Sequence, residues 1–208
     1  MALEKNMSLG RMKTFLSEEL KEQILMEVVP ILHLGQIQGG YFGVTRHILC
    51  FIDFLGALYS GYRAENFKKK EDVAMSKKAI KFIKEIMGDI DTYYKLNGSL
   101  FYEMYRHGLV HLYQPKVFSQ PNGKELYWLV YKGPREGALV KEVSGVRHLG
   151  IVASPTNQNI EYLPVSINCL YYDLIQAIDL YISLLEKDKA FQRKFISAAN
   201  IICESEKR

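Results

Sequence analysis

The hydrophobic period changes twice along this chain, and that constrains the fold more than any single residue does. Up to about residue 114 the apolar positions recur at helical spacing. Between Lys116 and Ser166 they fall into short β-rich runs, and from Asn168 the helical spacing returns. A chain patterned this way folds as a mainly α helical bundle with a small sheet inserted into it. The 208 residues can bury a substantial core, and no stretch is low-complexity or long enough as a linker to divide them. A single domain over 1–208 is expected.

Six helices are expected, at about 14–30, 45–60, 72–87, 99–114, 168–186 and 189–204. Ser17 with Glu18 and Glu19 reads as a helix start and Pro30 as its stop. Residues 31–43 hold Gly35, Gly39, Gly40 and Gly43 and read as a loop, without the Lys-Ser/Thr ending of a phosphate loop. Thr45 can cap the next helix, in which nearly every position from Arg46 to Ser60 is apolar or small. Asp72 caps a third, whose stripe of Met75, Ala79, Phe82, Ile83, Ile86 and Met87 is backed by Lys70, Lys77, Lys81 and Lys84. Such a lysine face is either simply solvated or able to track a phosphate backbone. Ser99, after Asn97-Gly98, starts a fourth helix that Pro115 closes. Over about 117–166 the runs ELYWLVY, ALVKEV, VRHLGIVAS and IEYLPVSI predict an antiparallel β-meander of four strands. Its Tyr127, Trp128, Tyr131 and Tyr162 either stack on bases or fill core.

Three cysteines, Cys50, Cys169 and Cys203, are too few and too widely spaced for a disulfide scaffold, and reduced core thiols are expected. The N-terminal residues carry no apolar leader. The most apolar run, Ile48 to Tyr59, contains Asp53 and is shorter than the roughly 20 residues a bilayer requires. A cytoplasmic protein without a membrane partner is expected. The charge balance, 27 Lys and Arg against 23 Asp and Glu, permits an acidic partner such as RNA without demanding one.

The chemistry concentrates on the fourth helix, Glu103-Met104-Tyr105-Arg106-His107-Gly108-Leu109-Val110-His111. At 100° per residue, Glu103, Arg106, His107, Val110 and His111 share about 140° of arc. One face thus presents an acid, a guanidinium and two imidazoles, with Tyr102 and Tyr113 flanking Arg106. Asp53, in the middle of a buried helix, needs a partner, and Arg46 or Arg106 would serve. Glu103, His107 and His111 also have metal-ligand spacing, but no Glu stands beside the first His and no other helix offers an evident ligand. No metal or other cofactor is expected. His33, His47 and His148 stand alone in apolar or strand contexts and read as structural.

The run Arg106-His107-Gly108-Leu109-Val110-His111 resembles the R-x4-6-H signature of HEPN domains, helical modules of which many are metal-independent endoribonucleases. His107 matches the polar residue that typically follows the arginine in that family. The segment Ile52-Asp53-Phe54-Leu55-Gly56-Ala57-Leu58-Tyr59 is similar to the acid-bearing apolar helix that precedes the motif. The resemblance covers residues 45–114 and 168–186, and the inserted strands depart from the minimal all-helical pattern. It implies a HEPN-like bundle working as a homodimer on RNA, in a toxin–antitoxin or defence setting, with a cognate antitoxin or nucleotidyltransferase-like protein as partner. It further implies that His111 transfers protons, Arg106 stabilises phosphate and His107 assists, with Glu103, Asp53, Tyr102 and Tyr113 in support.

Overall fold

The computed structural model describes residues 3–33, 40–61, 75–111 and 114–205, and among these the helical and β segments alternate as the period changes require. Helix α1 begins as Leu9–Thr14, widens into a π turn at Phe15–Leu20 and continues as Lys21–Leu32. Helix α2 is Tyr41–Ser60. Helix α3 comprises Met75–Phe82, a π turn at Ile83–Met87 and Gly88–Ile90. Helix α4 comprises Thr92–Phe101, a π turn at Tyr102–His107 and Gly108–His111. Helices α5 (Ile167–Lys187) and α6 (Lys189–Ser205) close the chain.

Helix α2 lies in the middle, packed against α1, α3, α5 and α6. Its Val44, Ile48, Leu49, Ile52, Leu55 and Leu58 are wholly buried in one core with Phe15, Phe82, Leu174 and Phe195. Burial of each such side chain contributes about 1.5–3 kcal/mol. At 20 residues α2 is long and apolar enough to cross a membrane, which corrects the shorter span expected from Ile48 to Tyr59, and 56% of its most apolar stretch is buried within the fold.

Several helix ends differ from the expected ones, each for a local reason. Helix α1 starts at Ser8, whose Oγ accepts the Arg11 N–H. It also runs through Pro30, and the carbonyl that the proline leaves without a donor is that of Met26, an exposed residue. Thr45 is no cap: it lies inside α2 and its hydroxyl donates back to the Tyr41 carbonyl at 2.9 Å. Ser99 lies within α4, which Asp91 caps by accepting the Tyr93 N–H at 3.0 Å. Asn97-Gly98 stays helical because Asn97 donates to the Leu149 carbonyl at 2.7 Å and Gly98 is buried against Ile83. Asp72, expected as the cap of α3, lies outside the described residues.

The strands are β1 (Phe118–Ser119), β2 (Glu125–Tyr131), β3 (Glu142–Val143), β4 (Val146–Arg147), β5 (Val152–Ala153) and β6 (Ile160–Ser166). They do not form the expected antiparallel meander. The main sheet has the order β1-β2-β6-β5, and its two long strands, β2 and β6, run parallel with Leu129 opposite Pro164. Alternation of residues does not encode strand direction, and the long connection over 132–159 supplies the crossover that a parallel pair needs. Within that connection β3 and β4 form a separate hairpin whose Ser144 and Gly145 both have positive φ. The aromatics of the strands have different neighbours. Trp128 packs edge-on against Phe42 at 5.0 Å, whereas Tyr127 and Tyr162 pair across the strands at 6.2 Å.

Two polar devices join the sheet to the bundle. The fully buried Tyr105 of α4 places its hydroxyl at the β2–β6 seam, where it accepts the Leu129 N–H at 3.2 Å and donates to the Leu163 carbonyl at 2.7 Å. The second is a buried chain through His148. The Ser166 N–H donates to its Nδ1 at 3.0 Å, so Nε2 carries the proton and meets the Tyr94 hydroxyl at 2.9 Å. Tyr94 in turn donates to Asp173, 2.9 Å away, whose other oxygen takes the Lys141 ammonium. Burial, with Lys141 and Arg147 nearby, pushes His148 down to about 3, and burial pushes Asp173 up to about 6.

Tyr105→Phe keeps the ring but leaves the Leu129 N–H and Leu163 carbonyl without their bridge, and is expected to lower the unfolding free energy by about 1–3 kcal/mol in urea titrations. For His148 the sign follows from linkage. Below its ordinary value of 6.5 the unfolded chain takes up a proton that the folded chain refuses, so stability falls as pH falls from there toward 3. Asp173 acts oppositely between about 6 and 3.8, where the folded state binds the extra proton. His148→Gln removes only the first effect. Between pH 7.5 and 5 the variant is expected to lose about 2 kcal/mol less stability than the parent, whatever its absolute stability.

Candidate functional site

Helix α4 carries the residues singled out by the sequence, and its π turn decides where each one points. Over Tyr102–His107 the backbone closes i→i+5 rather than i→i+4 bonds, so the residues do not share the one face that a regular α-helix would give them. They divide between two sides. Tyr102 and Arg106 turn toward α2, whereas Glu103 and His107 line a cleft bounded by α3 and β1.

On the α2 side, Arg106 donates its Nε–H to Asp53 Oδ2 at 2.6 Å, and the Tyr102 hydroxyl donates to Asp53 Oδ1 at 2.6 Å. Asp53 is 9% exposed, so both oxygens of a nearly buried carboxylate are satisfied by groups from one turn of α4. Arg106 is therefore the partner that Asp53 required. Burial works against the Arg106 charge, but the Asp53 carboxylate more than compensates and raises its pKa. Burial, helped by the bond to Asp53, likewise pushes the Tyr102 phenol up, so it stays a donor. Among the described residues none takes the Nη1 or Nη2 protons of Arg106. One edge of the guanidinium is held and the other remains for an acceptor.

On the other side, Lys77, Ile80, Glu103, His107, Lys116 and Phe118 line a cleft of about 420 Å³. Lys116 and Phe118, which the sequence reading did not single out, arrive through the π turn. The Lys116 N–H donates to the Met104 carbonyl inside that turn at 3.0 Å, which folds the chain back over Gly108. A Cβ at Gly108 would lie 2.5 Å from the Gln114 oxygen and 2.6 Å from Pro115 Cα, so only glycine permits the return. The Tyr102 ring meets His107 edge-on at 6.0 Å, which braces the imidazole at the cleft wall.

The remaining candidates are placed as follows. His111 ends the described part of α4, and its position is known through its backbone. Tyr113 and Lys70 lie outside the described residues. The described lysines of the stripe have different surroundings: Lys77 lines the cleft, Lys81 pairs with Glu85 at 4.0 Å and lies over the Tyr59 ring at 5.8 Å, and the Lys84 stem passes beside Gly98. Among the described residues no three His, Cys, Asp or Glu side chains come close enough together to hold a metal ion. The three thiols are free, but Cys50 is exposed and Cys203 half-buried, so the expectation of core thiols holds only for Cys169. The Cys50 thiol sits near Arg106 and Asp53, where partial desolvation by the surrounding side chains outweighs the Arg106 charge and raises its pKa.

The arrangement brings a held guanidinium, an imidazole, a carboxylate and two ammonium groups onto adjoining sides of one turn. Imidazole and carboxylate can move protons, and the cations can accept a phosphodiester. In comparisons with known proteins, no family model, no curated protein and no solved structure matches this chain.

Arg106→Ala leaves the Asp53 carboxylate with Tyr102 alone, and is expected to lower the unfolding free energy by about 2–3 kcal/mol. The double variant Asp53→Leu/Arg106→Met removes both charges together and is expected to recover at least half of that loss in the same urea titration.

Proposed function

We propose that this chain is a HEPN-like protein acting as a homodimeric, metal-independent endoribonuclease. The observation that supports it is the Asp53–Arg106 ion pair. The acid of the apolar helix and the arginine of the R-x4-H motif, the two segments that carry the resemblance, meet in space, and the pair aims the guanidinium from the motif turn. In this reading the free edge of Arg106 binds the scissile phosphate, and Lys77 and Lys116 hold the flanking backbone. His111 takes the 2′-hydroxyl proton or protonates the leaving 5′-oxygen, with His107 assisting. A two-fold dimer would bring two such turns into one cleft.

A second reading keeps the bundle and drops the chemistry: a HEPN-like dimer that binds RNA, a nucleotide or a partner protein such as an antitoxin or nucleotidyltransferase-like chain. It is favoured by the same pair, because the burial of Asp53 is by itself sufficient reason for an arginine at position 106.

The test is cleavage of mixed RNA by the purified chain in excess EDTA, with light scattering to measure mass. Catalysis predicts a dimer, cleavage that survives chelation, and a loss of 100-fold or more in both His111→Ala and Arg106→Lys, the latter keeping the charge but losing the fork. Parent-like activity in both variants, or cleavage stopped by EDTA, overturns the ribonuclease. RNA binding without cleavage gives the second reading.

A further inference from the structure

The molecule carries a second cleft whose lining differs from that of the α4 site. It has a volume of about 580 Å³ and is formed by the C-terminal turns of α1, the loop after β2 and the start of α5. None of its lining residues comes from α4. Its cations, Lys132 and Arg135, and the imidazole of His33 come from two segments that are far apart in sequence, and no carboxylate lines it among the described residues. The same cleft is lined by Tyr171 and Tyr172, ring to ring at 5.1 Å and 62°, and by Leu25, Val29 and Leu32 of α1.

The loop that bears Lys132 and Arg135 is built into the fold. Its carbonyls at Lys132, Gly133 and Pro134 all accept from the start of α5. The Asn168 N–H reaches Lys132 at 3.1 Å, and the Asn168 side-chain amide reaches Gly133 at 3.3 Å and Pro134 at 2.9 Å. Gly133 has φ +76, and a Cβ there would lie 1.9 Å from Ser166 Oγ, so the close seating of the loop depends on that glycine. Asn168 is 5% exposed, which places this bonding in the interior and holds the loop in one position. Tyr171, 8% exposed, is fixed by the core, and it supports Tyr172, which is 36% exposed and faces the cleft.

A cleft that combines Lys132, Arg135 and the His33 imidazole with an exposed aromatic ring and an apolar wall suits a ligand with an anionic end and a planar, weakly polar end. The geometry points to a nucleotide site: the phosphate against Arg135, Lys132 and His33, and the base stacked on Tyr172 along the α1 wall. The volume falls within the range of about 300–1,000 Å³ typical of small-molecule pockets. A free mononucleotide and the 5′-phosphorylated end of an RNA share this chemistry. The site does not depend on the ribonuclease reading, since its residues lie on other elements.

Isothermal titration of the full chain with adenosine 5′-monophosphate, adenosine, inorganic phosphate, and a short RNA with or without a 5′-phosphate tests the assignment. Saturable binding of the monophosphate is expected, at least tenfold tighter than adenosine or phosphate alone. Arg135→Glu and Tyr172→Leu are each expected to weaken it tenfold or more without shifting the melting temperature, and Lys189→Ala, outside the cleft, to leave it unchanged. Binding of the 5′-phosphorylated RNA without the mononucleotide assigns the site to an RNA terminus and keeps the proposal. It is overturned if neither ligand saturates at millimolar concentration, if phosphate alone binds as tightly as the monophosphate, or if both cleft variants bind like the parent.

Discussion

The Tyr105 hydroxyl is the contact by which helix α4 enters the sheet. Tyr105 leaves the π turn of α4, passes wholly buried to the β2–β6 seam, and bridges a backbone donor on one strand to a backbone acceptor on the other. Backbone groups in a buried sheet must be paired, so the helix completes the sheet and is fixed by it in return. The register of β2 on β6 thereby sets the rotation of α4, and the rotation of α4 sets where Tyr102, Glu103, Arg106 and His107 point. The other attachment, from Tyr94 through His148 to Asp173 and Lys141, does the same one face earlier on α4 and reaches into α5. Asp91 adds a third tie, since it caps α4 and pairs with Arg147 of β4 at 3.0 Å.

Helix α4 is therefore used on every side. One side enters the sheet, one meets the acid of α2, and one lines the cleft with α3. A regular α-helix would bring Arg106 and His107 round together with Glu103 on one stripe. The π turn instead frees the Met104 carbonyl, which draws the chain after the helix back across Gly108 and delivers Lys116 beside His107. The cost of poorer helical bonding is offset by these tertiary bonds. π turns recur at functional sites for this reason: they re-aim side chains within an otherwise continuous helix.

Much of this was legible from residue order alone. The helix–sheet–helix plan followed from the change of period, the interior position of the helix around Ile48–Tyr59 from its lack of a polar face, and the need of Asp53 for a cation from its apolar neighbours. The direction of β6 was not legible, because period-two alternation is the same for parallel and antiparallel pairing. Nor were the extended start of α4 and its continuity through Asn97-Gly98, where contacts to Leu149 and Ile83 override local turn preference. The π turn leaves no local signature, so an arc computed at a fixed angle per residue put Arg106 and His107 on one face. His148 read as structural, and is, but the chain of bonds that runs from it through Tyr94 to Asp173 and Lys141 draws on three separate regions that no spacing rule connects.

The Asp53–Arg106 pair bears on function in two opposed ways, and its energetics show how both can hold. A carboxylate at 9% exposure would be strongly destabilising alone, so the arginine is required by the fold whatever else it does. Yet the bond uses Nε, the inner edge of the guanidinium, and the Arg106 side chain keeps 23% of its surface exposed. A structural demand that fixes one edge also removes rotamer entropy that a phosphate ligand would otherwise have to remove on binding. The same carboxylate weakens the net positive field, so a phosphate bound there as proposed would gain from the preset fork more than from the charge. Under the proposed reading arginine in place of lysine is what both demands would share, because a planar guanidinium can serve a buried acid on one edge and an oxyanion on the other.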